Sequence, residues 1–500
     1  MRVSMLLDMA ADGFGERTAV GSRGHGPSFA RLADRARRAA RWIAARPAVD
    51  NVVLVDVNSE AVPILLYGSG MAGVPFVPLN YRLADSQLAA LLARTAPCVA
   101  VVQDRVIARV GPIEGVELVG RADFLAALDS TDPIDQEIGS DPDDIAVLLF
   151  TSGTTGEPKA AVLRHRHLTS YVVSSVEFMG ASDDEAALVS VPPYHVAGIS
   201  AVLSSTFSGR RTVHLEAFSP EAWVATVRDE AVTHAMVVPT MLGRILDVMD
   251  RDAELLPALR HLSYGGGRMP VPVVERALDR LPHVDFVNAY GLTETSSTIS
   301  VLGPEDHRLA VVSADPVVRA RLGSVGRPLP GLDVTVRDPH GEVLPVGAAG
   351  EVWVRGEQVA GEYLGRGSAG DADWFATRDG GWFDGDGYLY LTGRLDDVIV
   401  RGAENISPGE IEEALGQHPA VDEAAVVGIP DTEWGEAVAA AVVLHDGASA
   451  TEGELQDWVR SRLRSSRTPE HVDVRASLPY NDTGKLLRRV LKAELAAHYS

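Results

Sequence analysis

The sequence predicts an α/β protein of at least two domains, with largely parallel sheets in a large first domain. Its 500 residues exceed the ~250–300 residues at which a single hydrophobic core usually stops growing. Helical and strand patterns alternate through the first third of the chain, which is typical of a parallel sheet flanked by helices. With 46% hydrophobic and 23% charged residues, the composition excludes a largely disordered or fibrous protein.

The alternation is defined by apolar periodicity. Apolar residues recur at helical spacing in Ser28–Ala45, Ala61–Met71 and Gln87–Thr95. Strand-like runs are Val52–Val57, Val74–Pro78, Ile145–Phe150, Val232–Val238 and Val284–Val287. Parallel strands need crossover connections, which are usually helices, so we expect these segments to form sheets that are mainly parallel.

The pattern changes near residue 321, where short strands replace the alternation of helix and strand. The turn cluster Arg327–Gly331 precedes alternating runs at Asp333–Val336 and Glu351–Val354. This spacing predicts an antiparallel β subdomain.

A new α+β pattern starts beyond Arg394. Its elements are helices at Pro408–Leu415 and Glu452–Arg464 and strands at Val421–Ile429 and Ala437–Leu444. About 100 residues are enough for a small domain. We therefore place the boundary at Arg394–Asp397 and predict domains over residues 1–394 and 395–500.

Charge and cysteine content narrow the class of protein. Lys and Arg total 45 and Asp and Glu total 69, a net charge of −24, which disfavours a nucleic-acid binder because such proteins need a basic face. No apolar stretch approaches the ~18 residues of a membrane span, and Val3–Leu7 meets Asp8 too soon for a signal-peptide core. The single cysteine, Cys98, is expected to be buried. We predict a soluble cytoplasmic protein.

Two short motifs are weak signals. Gly68–Gly73 matches G-x-G-x-x-G but follows a helical pattern, whereas the dinucleotide fingerprint follows a strand and opens a helix. Asp384–Tyr388 resembles the start of an EF-hand, yet Tyr388 and Leu389 occupy positions that need a ligand and a glycine. A tight hairpin turn is the better interpretation.

The segment Thr151–Lys159 is the strongest chemical signal. It holds four hydroxyl side chains, two glycines and a lysine directly after the apolar run Ile145–Phe150. Such a loop offers many donors on a backbone able to curl around an anion, as a polyphosphate cradle requires. A Ser/Thr/Gly surface loop is the alternative. Only three lysines occur in the chain, and the other two are Lys485 and Lys492.

This segment resembles the signature of the adenylate-forming superfamily, which includes acyl- and aryl-CoA ligases, carrier-protein adenylation domains and luciferases. Further segments that match in the same order are Tyr290–Thr295, Trp374–Asp379, Gly387–Arg394, Asp397–Ile406 and Asn481–Lys485. The resemblance implies a large ATP-binding domain followed by a small mobile α+β domain. It also implies a ligase that converts a carboxylic acid and ATP to acyl-AMP and pyrophosphate and then forms a thioester with CoA.

The resemblance assigns most ATP contacts to the first domain. The residues assigned to the phosphates are Thr151, Ser152, Gly153, Thr154, Thr155 and Lys159, and those near the adenine are Gly265, Gly266, Gly267, Asn288, Ala289 and Tyr290. Thr293 would contact the α-phosphate, and Glu294 would bind Mg²⁺, a hard cation suited to carboxylate and phosphate oxygens. Asp379 would accept hydrogen bonds from the ribose hydroxyls, with Arg394 beside it.

The small domain supplies the remaining roles. By resemblance, Lys485 would bridge the attacking carboxylate and the α-phosphate and stabilise charge in the transition state. Asp396 would be the hinge for rotation between half-reactions. Gly402 and Ala403 would lie beside the pantetheine arm of CoA. Taken singly, Glu294 would be an acidic residue at a helix N-terminus and Lys485 a solvated loop residue; the ordered set favours the catalytic interpretation.

The acid would bind in a pocket whose lining includes His195, Val238, Tyr264, Arg268 and Thr298. His195 would gate the acyl site or be a hydrogen-bonded core residue. Arg268 stands where a small residue or proline is common, so it would pair with a second polar group on the substrate or lie on the surface. The sequence does not identify the acid or the oligomeric state.

Two residues depart from the family pattern. One affects the expected backbone conformation before Asp379, and the other affects the path of the acyl acceptor. Arg378 replaces a glycine before Asp379, which makes a positive φ unexpected there. Ala403 replaces a second glycine after Gly402, and its methyl narrows the path to the thioester site. Alternatives therefore remain: a carrier-protein thiol or an amine as acceptor, a nitrite-activating diazotase, or a nucleotide-binding regulator without catalysis.

Overall fold

The protein is represented by a computed structural model. It describes residues 1–138, 141–151, 158–365, 367–368, 370–371, 374–402, 404–432, 434–481 and 486–499.

The first sheet is parallel at its centre and comes mainly from the first third of the chain. Its strands are β1 (Asn51–Val55), β2 (Phe76–Pro78), β3 (Cys98–Val102), β4 (Val116–Gly120), β5 (Ile145–Thr151) and β6 (Lys159–Arg164). The helices of this region are α1 (Val3–Phe14), α2 (Phe29–Ala44), α3 (Ala61–Ala72), α4 (Asp85–Arg94), α5 (Asp104–Val110), α6 (Arg121–Asp129) and α7 (His165–Ser175). These six strands lie in the order β6-β5-β2-β1-β3-β4, and among them only β6 is antiparallel to its neighbour β5.

The second sheet follows the same plan. Its strands are β7 (Ala186–Val189), β8 (Arg211–His214), β9 (His234–Val237), β10 (His261–Gly265), β11 (Asp285–Leu292), β12 (Ser297–Leu302) and β13 (Arg327–Pro328). Its helices are α8 (Val196–Ser208), α9 (Pro220–Asp229), α10 (Pro239–Arg251), α11 (Val271–Arg280), α12 (Pro304–Val312) and α13 (Pro316–Ala320). Strands β8, β7, β9, β10 and β11 are parallel in that order, and β12 returns antiparallel to β11. The carboxyl ends of β9, β10 and β11 therefore meet at one edge.

The third sheet is antiparallel, as the short alternating strands predicted. The strands that follow β13 are β14 (Asp333–Arg337), β15 (Gly350–Arg355), β16 (Glu362–Tyr363), β17 (Gly367–Ser368), β18 (Gly370–Asp371), β19 (Trp374–Phe383) and β20 (Leu389–Arg394). Strands β16 and β17 join the first sheet, because Tyr363 pairs with Ala161 of β6. Asp384–Tyr388 is the hairpin turn between β19 and β20, closed by a bond from Asp384 N to Tyr388 O of 3.0 Å.

The fourth sheet belongs to the C-terminal region. Its strands are β21 (Ile399–Arg401), β22 (Glu404–Ile406), β23 (Val421–Asp431), β24 (Gly435–Leu444) and β25 (His471–Val474), and its helices are α14 (Pro408–Gly416), α15 (Glu452–Arg460) and α16 (Arg488–Tyr499). Buried residues of α14, α15 and the sheet form a separate hydrophobic core. The mixed α/β class with a smaller α+β region is therefore confirmed, while the boundary at Arg394–Asp397 remains a prediction.

The G-x-G-x-x-G match lies inside a buried helix. Gly68 is in α3, and a Cβ at this position would lie 2.8 Å from Ala39 Cβ and 3.0 Å from Ala36 O of α2. The glycine is thus explained by close contact between two helices. Cys98 is buried as expected, at 2% exposure. No helix in the described ranges is long and apolar enough to cross a membrane.

Candidate active site

The predicted adenine-contacting residues lie where the parallel strands of the second sheet end. Ligands of open α/β sheets bind at this carboxyl edge. A Cβ on Gly265 would lie 2.3 Å from Ala289 O, so β10 and β11 approach each other too closely for a side chain. Gly266 has φ +79°, a conformation that favours glycine. Asn288 is held by a 3.0 Å bond from its Nδ2 to Ser324 O.

Asp379 is anchored between two of the other predicted residues. Tyr290 OH donates to Asp379 Oδ2 at 2.7 Å, and Arg394 Nη1 donates to Asp379 Oδ1 at 3.1 Å. Arg394 Nη1 also donates to Thr377 O at 3.2 Å. Burial and then the neighbouring carboxylate raise the pKa of Tyr290 well above its usual value, so the phenol stays a donor. Tyr290 and Asp379, which are 89 residues apart in the sequence, thus belong to one polar cluster.

The backbone expectation for Arg378 is wrong. Its φ is +64° because Thr377–Asp379 bulge from β19: Glu351 pairs with Gly380 and Trp353 with Ala376, which leaves three residues opposite Val352. Such bulges commonly place a residue in the left-handed region. Thr377 Oγ1 donates to Val352 O at 2.8 Å and accepts from Asp379 N at 3.1 Å. These bonds hold the bulge and with it the direction of the Asp379 side chain.

Glu294 lies in a one-turn 3-10 helix, Thr293–Thr295, directly after β11. Its carboxylate accepts a 2.5 Å hydrogen bond from Tyr363 OH, and its backbone oxygen accepts from Ala360 N and Gly361 N at 2.8 and 3.1 Å. Burial and then the charge of Glu294 raise the pKa of Tyr363 above its usual value. The loop before β16 therefore holds the backbone of Glu294, and Tyr363 of β16 holds its carboxylate.

Tyr363 also connects Glu294 to the phosphate-binding segment. Lys159 Nζ lies 5.7 Å from the centroid of the Tyr363 ring. Thr151 and Lys159 face each other as register partners of β5 and β6, and Thr151 Oγ1 donates to Lys159 O at 3.4 Å. The loop that they close, with Ser152, Gly153, Thr154 and Thr155, lies outside the described residues. Sequence reasoning missed Tyr363 because it belongs to no motif and reaches the site through strand pairing.

The predicted acyl-pocket residues have different surroundings. Val238 is buried at the N-terminus of α10, and Thr298 is buried with its Oγ1 3.5 Å from Tyr171 OH. His195 is half-buried before α8, with its ring 5.0 Å from that of Tyr194. 

Tyr264 and Arg268 have hydrogen-bond partners outside this group. Tyr264 is fully buried in the core of the second sheet and its OH is 2.8 Å from His307 Nε2. Arg268 donates from Nη1 to Gly409 O at 2.9 Å and from Nη2 to Glu413 Oε2 at 2.6 Å. Its guanidinium therefore contacts α14 of the C-terminal region.

The hinge and acceptor residues lie near the start of the fourth sheet. Asp396 is exposed within the short 3-10 helix Leu395–Asp397. Gly402 has φ +62°, and a Cβ there would lie 3.2 Å from Cε3 of Trp434. The predicted Ala403 and Lys485 lie outside the described residues.

The described residues contain no group of three or more His, Cys, Asp or Glu side chains suited to a metal ion. Mg²⁺ in nucleotide sites usually takes only one or two carboxylates, together with phosphates and water. The single carboxylate of Glu294, bonded to Tyr363 whose ring centroid lies 5.7 Å from Lys159 Nζ, fits this requirement. Phosphate oxygens of ATP and water would supply the remaining ligands.

A second opening, which sequence reasoning also missed, lies at the carboxyl edge of the first sheet. This cavity of about 460 Å³ is lined by Val57, Tyr81, Arg82, Arg105, Arg109 and Ala217. Val57, Tyr81 and Arg105 follow β1, β2 and β3, so the strand order brings the arginines together. Asp85 and two backbone oxygens of Tyr81 and Leu83 hold the Arg109 guanidinium. The arrangement suits a polyanion.

Comparison with known proteins gives the family. Residues 7–364 match the family described as AMP-binding enzyme, and residues 410–485 match the AMP-binding enzyme C-terminal domain. A feruloyl-CoA synthase from Amycolatopsis sp. is 35% identical over 480 residues, 94% of each chain.

Two solved structures extend the comparison. The o-succinylbenzoate CoA synthetase of Bacillus subtilis, in complex with its acyl-adenylate intermediate, has a TM-score of 0.83 at 28% identity over 97% of both chains. The amide bond synthetase of Marinactinospora thermotolerans has a TM-score of 0.86 at 30% identity over 99% of both chains.

Proposed function

This chain belongs to the AMP-binding enzyme family and is a ligase of the acyl-CoA type, and we propose that it activates an aromatic carboxylic acid with ATP and passes the acyl group to CoA. The relatives named for feruloyl and succinylbenzoyl substrates support an aromatic acid. The observation that carries the nucleotide assignment is the anchored carboxylate of Asp379 between Tyr290 and Arg394.

Each site residue has a separate role in the first half-reaction, the formation of acyl-AMP. Asp379 accepts hydrogen bonds from the ribose hydroxyls, because its two oxygens are fixed by separate donors. Lys159 and the Thr151 end of the hairpin hold the leaving phosphates. Glu294, fixed by Tyr363, would hold Mg²⁺, which when bound would neutralise phosphate charge. Lys485 stabilises charge as the acid attacks.

The arginine-lined cavity supports CoA as the acceptor. CoA carries a nucleotide diphosphate with an additional phosphate, and Arg82, Arg105 and Arg109 offer guanidinium donors for such groups. A small amine needs no such site. Amide formation is the second candidate, since the amide bond synthetase shares the fold across almost its whole length.

A screen for pyrophosphate release, with aromatic, aliphatic and dicarboxylic acids and nitrite with an arylamine, tests the activity. We expect an aromatic acid to give the highest rate, and CoA to raise turnover and yield a thioester. Arg105→Ala should raise KM for CoA about tenfold or more, by losing a charge-assisted contact, with unchanged pyrophosphate exchange. Thioester formation equal in wild type and Arg105→Ala would exclude this CoA site, and amide without thioester would select the second candidate.

A further inference from the structure

We propose that Arg268 is a positioning residue that holds the C-terminal region in the orientation seen here, and so sets the balance between the two half-reactions. The proposal rests on the proposed function, because it assumes a two-step enzyme whose small domain rotates about Asp396.

The Arg268 guanidinium spans from the second sheet to the C-terminal region. Arg268 follows the glycines at the end of β10, whereas its partners Gly409 and Glu413 are one turn apart on α14. Both contacts come from one planar side chain, which fixes direction as well as distance. The side chains of Arg268 and Glu413 are 51% and 54% exposed, so the pair can separate without leaving a buried charge.

Further contacts around Arg268 join the start of α14 to β20 in this orientation. A Cβ on Gly409 would lie 3.2 Å from Arg268 Nη1 and 3.3 Å from Thr392 O of β20. Ser407 Oγ donates to Thr392 O at 2.5 Å. The start of α14 thus packs so closely against β20 and Arg268 that a Cβ at 409 would require one of them to shift.

Rotation of the C-terminal region must break the contacts of α14 with Arg268 and of Ser407 with Thr392 at the same time. Helix α14 packs on β23 and its residues share the core of the fourth sheet, so it moves with that sheet as one body. Asp396 lies between Thr392 and Ser407 in the chain, and a turn about it carries Ser407, Gly409 and Glu413 away from Thr392 and Arg268. The Arg268 bonds therefore form in one orientation only, and a ligand or contact specific to one state shifts the equilibrium.

The first measurement reports the orientation of the C-terminal region relative to the rest of the chain and does not depend on catalysis. Spin labels at Leu255→Cys and Asp446→Cys, both exposed, report the distance between the two regions, and the single native Cys98 is buried. Arg268→Ala should reduce the population at the wild-type distance about three- to tenfold relative to other distances, the range expected for an exposed ion pair with a second hydrogen bond. The charge exchange Arg268→Glu with Glu413→Arg should restore much of it.

The second measurement follows the half-reactions. In Arg268→Ala, pyrophosphate exchange and thioester formation from supplied acyl-AMP should change in opposite directions, so that their ratio shifts about three- to tenfold. Arg276→Ala, which removes pairs with Asp247 and Asp250 on the surface, is the matched control and should change neither. An unchanged distance distribution, an equal loss in both half-reactions, or a rise only in KM for the acid would overturn the proposal. Absence of pyrophosphate release in wild type would overturn the proposed function instead, and the distance measurement would still decide the role of Arg268.

Discussion

Arg378 occupies a backbone conformation that an L-residue adopts at a cost of roughly 1–2 kcal/mol. Its side chain is exposed, and its nearest acid, Glu351, is 4.0 Å away, a contact of little value in water. We expect Arg378→Gly to raise the free energy of unfolding by about 0.5–1 kcal/mol, since glycine relieves the strain but loses more chain entropy. Urea denaturation measures the change. Arg378→Ala, which keeps the Cβ, is the control, and an equal gain in that variant would contradict a backbone origin.

Sequence motifs singled out three residues that lie together in the structure, while their roles remain predictions. Asp379, Tyr290 and Arg394 come from three separate motifs, and the structure brings them into one hydrogen-bonded cluster. Tyr363 and Arg105 carry no local signal, because strand pairing brings Tyr363 to Glu294 and strand order brings Arg105 to the cavity at the edge of the first sheet. For Arg268, sequence position placed the residue beside the acyl pocket but could not show the direction of a long, flexible side chain.

At the scale of elements, glycines inside the two helices α3 and α10 have different surroundings. In α3, Gly68 lies against the backbone of α2, whereas at Gly243 in α10 no atom of another described element lies within 4 Å of a Cβ position. We expect Gly68→Ala to lower the free energy of unfolding by about 1–3 kcal/mol through overpacking, and Gly243→Ala to raise it by about 0.5–1 kcal/mol through helix propensity. Thermal and urea unfolding of both variants measure the contrast. Destabilisation by Gly243→Ala, or none by Gly68→Ala, would contradict this packing explanation.

Elements were predictable where periodicity and burial agree. The strand Ile145–Phe150 extends to Thr151 in the structure, and helix Pro408–Leu415 ends at Gly416. Helix α15 ends at Arg460, four residues before the predicted end, and Arg464 has extended backbone with ψ 152°. Sheet order could not be obtained from the chain alone: β16 and β17 join the first sheet, although β15 before them and β18 after them belong to the third.

At the scale of the whole molecule, neutral buried histidines couple stability to pH. Burial, the largest cause, lowers the pKa of both His165 and His167 to about 4. Their Nδ1 atoms accept 3.3 Å bonds from the backbone N–H groups of Val3 and Arg164, so neither Nδ1 carries a proton. In the unfolded chain histidine has a pKa of ~6.5. Between that value and about 4 the unfolded state therefore binds more protons, and acid favours unfolding.

We accordingly expect the free energy of unfolding to fall as pH decreases from 7.5 to 5, with each of these histidines contributing about 1–2 kcal/mol of the loss. His167 occupies the third position of α7 and accepts from the residue that caps the helix. Glutamine is a natural acceptor at that position and does not titrate, so His167→Gln should keep the cap while making the pH profile shallower by about that amount. Urea denaturation at pH 7.5, 6.5, 5.5 and 5.0 measures both profiles. If His167→Gln lowers stability equally at every pH, the side chain acts through packing alone; a parallel profile of that kind would remove the proton linkage assigned to His167.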